Sequence, residues 1–267
     1  MKDAWGRTIE YVRLSLTDAC NFCCPYCRPA EITPQSQHQL LSVDEWMTIL
    51  GAFHQVGVKA VRLTGGEPLL YPHIEELLAR IKQTGWFEDI SMTTNGSLLA
   101  PRAAKLKELG LNRVNISLDS LDSDAFALCV GKANQLDSVL NGIQSAIDAG
   151  FTSVKINTVL SRHWTDDEVH DLLTYVETWP VIWRFIEYMP FQGDAFHGPT
   201  FDEWKAQLER VSGGILTENH DVYGFGPATY YNLPSGKEIG FIFSMSHSYC
   251  DTCNRVRLTS DGQMRLC

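Results

Sequence analysis

Two tight groups of cysteines lie near opposite ends of the sequence and hold seven of its eight cysteines. Three residues in each group have the spacing of metal ligands: Cys20, Cys24 and Cys27 in the first, and Cys250, Cys253 and Cys267 in the second. Three thiolates leave a tetrahedral zinc site, or a [4Fe–4S] cluster, one ligand short. The spacing therefore predicts two iron–sulfur sites, and with three cysteine ligands each would have an iron open to another ligand. Cys23 in the first group, or a cysteine beyond Cys267 in the second, could be a fourth ligand, and structural zinc is the alternative at both sites.

Polar residues and glycines also end each of six predicted strands. Gly65-Gly66-Glu67-Pro68 follows the second strand, Thr93-Thr94-Asn95-Gly96 ends the third, and Ser117-Leu118-Asp119-Ser120 ends the fourth. In parallel barrels the chemistry gathers on the loops that follow the carboxyl ends of the strands. We therefore expect these segments and the first cysteine group to share one active site.

Cations alternate with apolar residues along three of these strands. Because successive side chains of a strand point to opposite faces, Arg13, Arg62 and Lys155 are predicted to point into the barrel. Buried cations are costly unless an anion offsets them, and arginine matches the geometry of phosphate. These residues therefore indicate a phosphate-bearing ligand. The alternative is a set of internal ion pairs with the acidic residues of the strand ends, which are Glu67, Asp119 and Glu187.

The order of the predicted elements indicates an α/β protein with a parallel sheet. The strands are Tyr11–Leu16, Ala60–Thr64, Ile90–Thr94, Arg113–Leu118, Val154–Leu160 and Trp183–Met189. The helices run from Ser42 to about His54, from Pro72 to Gly85, and over Ala103–Leu109, Gln135–Ala149, Asp166–Glu177 and Phe201–Arg210. Six strand–helix units predict an incomplete (β/α)6 TIM-like barrel over residues 1–190. Residues 191–267 would form a C-terminal extension with a loop over 191–199 and a hairpin of Ala228–Leu233 and Glu238–Met245.

Composition narrows the class of protein. The 267 residues carry a net charge of −10, which argues against a nucleic-acid or anionic-membrane binder. No apolar run is long enough for a transmembrane helix, and the N-terminus lacks the apolar core of a signal peptide. We expect a soluble, cytoplasmic protein whose thiols stay reduced.

The cysteine spacing with Tyr26 before Cys27, followed by Gly65-Gly66-Glu67-Pro68, resembles the radical S-adenosylmethionine (SAM) superfamily. Further segments are similar to the GTP 3′,8-cyclase family of molybdenum cofactor biosynthesis. They include Asp3-Ala4-Trp5-Gly6-Arg7, Arg13-Leu14-Ser15-Leu16-Thr17-Asp18, Gly226-Pro227-Ala228 and Cys250-x2-Cys253-Asn254-Arg255-x-Arg257. This resemblance spans essentially the whole chain.

The resemblance implies a radical SAM lyase that converts GTP to (8S)-3′,8-cyclo-7,8-dihydroguanosine 5′-triphosphate, the first step of molybdopterin synthesis. It implies two [4Fe–4S] clusters, one on each cysteine group, with SAM bound to the open iron of the first. The residues implied for SAM are Gly66, Glu67, Thr93, Thr94, Asn95, Ser117 and Met189. Those implied for GTP are Arg13, Arg62, Lys155, Arg184, Arg255 and Arg257. No side chain is assigned as an acid, base or nucleophile.

The implied partners are a one-electron reductant of flavodoxin or ferredoxin type and the enzyme that forms the pterin downstream; an oligomer is compatible with the sequence. The chain departs from the family pattern at Ala60 and Tyr71, where basic residues are usual, and at Cys23. No glycine-rich tail follows Cys267, so we expect the sequence to be part of a longer one. A radical SAM paralogue that acts on another nucleotide or on a peptide is the alternative function.

Overall fold

The computed structural model describes residues 2–27, 40–190, 198–221 and 223–265. Eleven strands form one sheet: β1 Tyr11–Ser15, β2 Ala60–Thr64, β3 Asp89–Thr94, β4 Arg113–Ser117, β5 Ser153–Val159, β6 Ile182–Ile186, β7 Thr217–Asn219, β8 Thr229–Asn232, β9 Glu238–Ile242, β10 Arg255–Leu258 and β11 Met264–Arg265. The helices are α1 Val43–Gln55, α2 Ile74–Thr84, α3 Ala103–Glu108, α4 Ser123–Val130, α5 Leu136–Asp148, α6 Asp166–Thr178 and α7 Phe201–Ser212.

Strands β1 to β6 lie side by side in chain order and are parallel, which confirms the predicted incomplete α/β barrel. The C-terminal segment does more than extend it. Strand β9 pairs in parallel with β6, and β10 pairs in parallel with β1, so the segment adds a strand to both edges of the six-stranded sheet. The antiparallel strands β11 and β8–β7 lie beyond them, and the sheet stays open.

Local sequence signals account for the helix ends. Capping boxes start three helices, with Ser42, Thr165 and Thr200 each accepting from a backbone N–H three residues later. Gly85 ends α2 with a left-handed backbone, as predicted. The helices cover the outer face of the sheet, where Val12 and Leu14 are fully buried while Arg13 between them faces the opposite side.

Some predicted boundaries are wrong. Strand β6 ends at Ile186 rather than at Met189, so Glu187 and Met189 lie in the segment that follows it. Ile186 pairs with Val159 and Ile242, the last residues of the neighbouring strands β5 and β9, so β6 ends where both of its partners end. The hairpin is confirmed by the antiparallel pairing of Asn232 with Glu238, although β9 ends at Ile242. Helix α4 and strands β7, β10 and β11 were not predicted, and the loop predicted over 191–199 lies mostly outside the described residues.

None of the described helices is long and apolar enough to cross a lipid bilayer.

Gly142 is the residue of α5 that lies against the loop after β3. A Cβ atom at this position would stand 2.2 Å from the carbonyl oxygen of Gly96. Glycine to alanine normally stabilises a helix, but here the new methyl group meets rigid backbone. We expect Gly142→Ala to lower the free energy of unfolding by about 1–3 kcal/mol in anaerobic urea titrations.

Asn141→Ala is the matched control, because Asn141 is exposed on the same helix. It should leave the stability unchanged or raise it by a few tenths of a kcal/mol, roughly the difference in helix propensity. A Gly142→Ala variant as stable as the parent protein would contradict the tight packing of α5 on this loop.

Candidate active site

A cavity of about 400 Å³ lies at the carboxyl ends of the parallel strands. One part of its wall is the first cysteine loop, and another is formed by cations from the strands. Of the residues predicted for the site, the cavity is lined by Cys20, Cys24, Cys27, Gly66, Thr93, Thr94, Asn95, Ser117, Arg13 and Arg257. The structure therefore brings ten predicted site residues from both ends of the chain around one space.

The first cysteine loop is held in place by backbone and amide hydrogen bonds. The N–H of Cys27 donates to the carbonyl of Cys24 over 2.9 Å and closes a turn between them. The amide of Asn95 donates to the side chain of Asn21 over 2.8 Å, and Asn21 donates in turn to Ser97 over 2.9 Å. The end of β3 therefore holds the start of the cysteine loop beside the cavity.

The thiols of this loop suit a multi-iron cluster. Burial, and the negative charges of Asp119 and the other cysteines, raise the pKa of Cys24 to about 12, so a positive group must offset its thiolate. The described residues form no group of three or more His, Cys, Asp or Glu that could hold a single metal ion. A [4Fe–4S] cluster does not require the three thiolates to converge on one metal ion, since each thiolate binds a different iron. Three cysteines that line one cavity fit a cluster rather than a structural zinc.

The glycines after β2 allow the backbone of two loops to touch. A Cβ atom on Gly66 would lie 2.2 Å from the carbonyl oxygen of Ala19, and the N–H of Gly66 donates to Thr17 over 2.6 Å. Only glycine fits this contact. The loop after β2 thereby holds in place the segment that leads to Cys20.

Glu67 lies beneath the cavity rather than in its wall. Its side chain is fully buried, and its carboxylate accepts from the backbone N–H of Leu69, the N–H of Asn95 and the hydroxyl of Thr94, at 2.7–3.0 Å. Met189, also predicted for SAM, is 54% exposed and lies outside the cavity, with its sulfur 3.1 Å from the Ser244 hydroxyl. Roles toward SAM for these two residues stay predictions, and that of Glu67 would be exerted through the residues it holds.

Four arginines form a row across four adjacent strands, because the register pairs Arg265 with Arg257, Arg257 with Arg13, and Arg13 with Arg62. Burial and the neighbouring positive charges lower the pKa of Arg13 to about 10, and its Nε has no hydrogen-bond partner. The Nε of Arg62 donates to Ser91, and its guanidinium lies over the ring of Tyr11. Arg13, Arg257 and Arg265 line the cavity, whereas Arg62, at one end of the row, lies outside its lining.

Two further predicted cations lie deeper in the barrel and are solvated by neutral groups. Lys155 is 2% exposed; its Nζ donates to the carbonyl of Tyr223 over 3.1 Å and to the hydroxyl of Tyr230 over 3.2 Å. Arg184 is 3% exposed and donates to the amide oxygens of Asn157 and Asn115 at 2.6–3.0 Å. Burial lowers the pKa of Lys155 to about 6 and that of Arg184 to about 10.

The alternative of internal ion pairs is wrong for these cations. Within the described part of the chain, no carboxylate pairs with Arg13, Arg62, Lys155 or Arg184. The three carboxylates in question accept from other groups. Glu187, for example, accepts from the backbone N–H groups of Met245 and Ser246 at 2.6–3.2 Å. Glu238 acts on Lys155 only from beyond ion-pair distance, so these buried cations have no carboxylate in direct contact among the described residues, which favours an anionic ligand.

The second cysteine group borders a separate cavity of about 390 Å³. Cys253 and Arg255 line it together with Asn254, and Arg255 lies over the ring of Tyr249. Cys250 is exposed nearby in the chain, and Cys267 lies outside the described residues. The structure thus places two of the three predicted ligands of this group, and only Cys253 among the cavity residues.

Several residues near the site were not assigned to it by the reasoning from sequence, among them Arg265, Tyr223 and Tyr230. Arg265 lines the first cavity, and the parity of a two-residue strand was too weak a signal to find it. Tyr223 and Tyr230 contact Lys155 through both hydrogen bonds and ring faces, with the ammonium 5.3 and 5.5 Å from the ring centroids. Tyr223 lies in the loop between β7 and β8, and Tyr230 lies in β8, which reaches Lys155 because β8 pairs with β9 beside β6. The sequence pattern does not indicate these positions.

Two sequence-family models match this chain, one over most of the barrel and one over the C-terminal segment. The sequence model of the radical SAM superfamily matches residues 14–176, and that named Molybdenum Cofactor Synthesis C matches residues 181–267. The crystal structure of Streptococcus suis SuiB bound to S-adenosylmethionine is similar in fold, with a TM-score of 0.71 at 16% identity over 96% of this chain and 60% of that one. Fold and cysteine loop together define a radical SAM enzyme.

Similarity in sequence is closer to one branch of that superfamily. GTP 3′,8-cyclase 2 of Pseudomonas aeruginosa is 41% identical over 99% of this chain and 81% of its own length. The GTP 3′,8-cyclase of Trichodesmium erythraeum is 44% identical over 97% of this chain and 81% of its own length. The chain belongs to the GTP 3′,8-cyclase family.

The low pKa of Lys155 makes the binding of an anion near it testable through proton uptake. Near pH 7.5 an amine with a pKa of about 6 is mostly neutral, and a nearby polyphosphate raises that pKa because it favours the ammonium form. We expect inorganic tripolyphosphate to bind with uptake of up to about one proton at Lys155. Titration calorimetry in two buffers of different ionisation enthalpy measures this uptake.

Lys155→Met should bind fewer protons than the parent protein, whereas Lys105→Met, at an exposed residue on α3, should bind the same number. Equal proton uptake by the parent protein and Lys155→Met would show that Lys155 does not face the anion.

Proposed function

We propose that this protein converts GTP to (8S)-3′,8-cyclo-7,8-dihydroguanosine 5′-triphosphate, the first step of molybdenum cofactor biosynthesis. The observation that carries the proposal is the row of arginines beside the three-cysteine cavity, in a chain about 40% identical to GTP 3′,8-cyclases over nearly its whole length. A triphosphate would supply a counter-charge to Arg13 and Arg62, and the cysteine loop lies in the wall of the same cavity as Arg13.

The first cysteine group would hold a [4Fe–4S] cluster through Cys20, Cys24 and Cys27. When the cluster is bound and reduced by one electron, it supplies the cleavage of SAM that gives a 5′-deoxyadenosyl radical able to remove a hydrogen atom from the substrate ribose. The chain's own part is positioning. Gly66 leaves room for close approach of the backbone, and Asn95, Thr93 and Ser117 offer polar contacts to SAM.

The predicted cations divide by depth. Arg13, Arg62 and Arg257 share one row and would bind the phosphates by forked hydrogen bonds. Lys155 and Arg184 are held by neutral amides and phenols. Arg184 keeps its positive charge, whereas Lys155 would take up a proton as the triphosphate binds. Their burial excludes water, which strengthens every electrostatic contact with a bound nucleotide.

A second [4Fe–4S] cluster on Cys250, Cys253 and Cys267 belongs to the same proposal. Its support is the place of Cys253 beside Arg255 in the second cavity, where an open iron and a guanidinium would face one ligand. We further propose a flavodoxin- or ferredoxin-like reductant, a downstream pterin-forming enzyme as a partner, and a cytoplasmic location, where cysteines stay reduced for cluster assembly.

The deciding experiment is an anaerobic assay of the reconstituted and reduced protein with SAM and GTP, and with ATP, CTP or UTP in parallel. Mass spectrometry follows 5′-deoxyadenosine and isomers of the triphosphate. We expect 5′-deoxyadenosine with a cyclic isomer of GTP, and neither from the other nucleotides. If SAM cleavage depended instead on another nucleotide or on a peptide, that compound rather than GTP would be the substrate.

Arg62→Ala tests the cationic row within this assay. Loss of a charged hydrogen bond to the triphosphate should lower kcat/KM for GTP by roughly 10- to 100-fold, mainly through KM. The affinity for SAM should stay close to that of the parent protein. Lys105→Ala removes a surface cation far from the row and should change neither constant. A normal KM for GTP in Arg62→Ala would exclude Arg62 from phosphate binding.

A further inference from the structure

Asp119 is a buried carboxylate at the cavity that no described cation pairs with. It follows β4 and is 3% exposed. One of its oxygens accepts from the backbone N–H of Val159 over 2.8 Å. The other accepts from the hydroxyl of Tyr26 over 2.6 Å. An unpaired buried carboxylate is costly, so these two hydrogen bonds must hold it in place.

Tyr26 lies inside the cysteine loop, between Cys24 and Cys27. Its hydroxyl bonds to a residue 93 positions further along the chain, and the contact fastens the loop to the barrel wall. Both Tyr26 and Asp119 line the first cavity with the three cysteines. A displacement of this tyrosine would move the turn that carries two of the three thiols.

A second contact holds the same loop from the same part of the barrel. The N–H of Cys23 donates to the carbonyl of Val130 at the end of α4 over 2.9 Å. The next residue is Gly131, where a Cβ atom would lie 2.6 Å from the carbonyl oxygen of Cys23. The segment from β4 to α4 therefore holds the cysteine loop at two points. One is the side-chain contact of Tyr26 with Asp119, and the other is the backbone contact of Cys23 with Val130.

We propose that Asp119 is a positioning residue for SAM: through the hydroxyl of Tyr26 it fixes the Cys24–Cys27 turn, and so sets the affinity of the cluster-loaded protein for SAM. Asp119 acts through Tyr26 and not by its own contact with SAM. The proposal concerns the cluster and SAM of the radical SAM family, and it holds whether or not GTP is the substrate.

A double-mutant cycle separates positioning from direct contact. The variants are Tyr26→Phe, Asp119→Ala and the double variant, each reconstituted anaerobically to the iron content of the parent protein. SAM affinity is measured by equilibrium dialysis without GTP, and electron paramagnetic resonance of the reduced cluster records the spectral change on SAM addition. We expect each single variant to weaken SAM binding on the order of tenfold, as befits loss of a hydrogen bond to a charged group.

The double variant should then bind SAM no more weakly than Asp119→Ala alone, because Tyr26→Phe and Asp119→Ala both break the same Tyr26–Asp119 hydrogen bond. The SAM-induced spectral change should be altered alike in all three. Additive losses, or parent-like SAM affinity and spectrum in Tyr26→Phe, would overturn the proposal. Additivity would point instead to direct contact of Asp119 with SAM.

Asp119→Asn keeps the interpretation clear if Asp119→Ala folds poorly. The amide can accept from Val159 and donate to the Tyr26 oxygen, so both hydrogen bonds survive without the charge. We expect SAM affinity within about twofold of the parent protein, since the geometry is retained. If Asp119→Asn lost as much SAM affinity as Tyr26→Phe, the effect would belong to the charge of Asp119 rather than to the hydrogen bond, and the proposal would be overturned. Asp124→Asn, at an exposed residue of α4, controls for a change of net charge.

Discussion

Buried positive charge without a buried counter-charge is the constraint around which this barrel is arranged. Lys155 and Arg184 are almost fully enclosed, yet their hydrogen bonds go to amides, phenols and a carbonyl rather than to carboxylates. Neutral acceptors lessen the cost of burying Arg184 without cancelling its charge, while the amine of Lys155 becomes charged only when an anion raises its pKa from about 6. In a chain of net charge −10 this keeps a positive potential inside the barrel, where a negative ligand gains most from it.

The buried carboxylates hold the loops at the carboxyl ends of the strands in place. Glu67, Asp119 and Glu187 accept mainly from backbone N–H groups, and each ties a loop at the carboxyl ends of the strands to a neighbouring segment. Hydrogen bonding to the charged form is what makes such burial tolerable. The buried carboxylates therefore fix the loops, and among the described residues they form no ion pair with the buried cations of the strands.

Strand parity was enough to predict the inward cations of β1, β2 and β5, because period-two alternation is strong when one face is apolar. Arg184 was harder, since it shares its parity with Ile186 and follows Trp183 in a strand buried on both faces. Tyr223 and Tyr230 could not be predicted at all. Their contact with Lys155 depends on the pairing of β9 beside β6, which is a long-range choice that no local pattern encodes.

That same pairing explains why the C-terminal segment cannot be regarded as an appendage. A sheet of six parallel strands has two exposed edges, each a row of unpaired backbone groups. Strand β9 covers one edge and brings Tyr230 with its hairpin to Lys155; β10 covers the other and sets Arg257 beside Arg13. The strands that complete the sheet are thus the strands that complete the cationic wall. Loss of either pairing would remove backbone hydrogen bonds and candidate site residues together, so folding of this segment and assembly of the site are coupled.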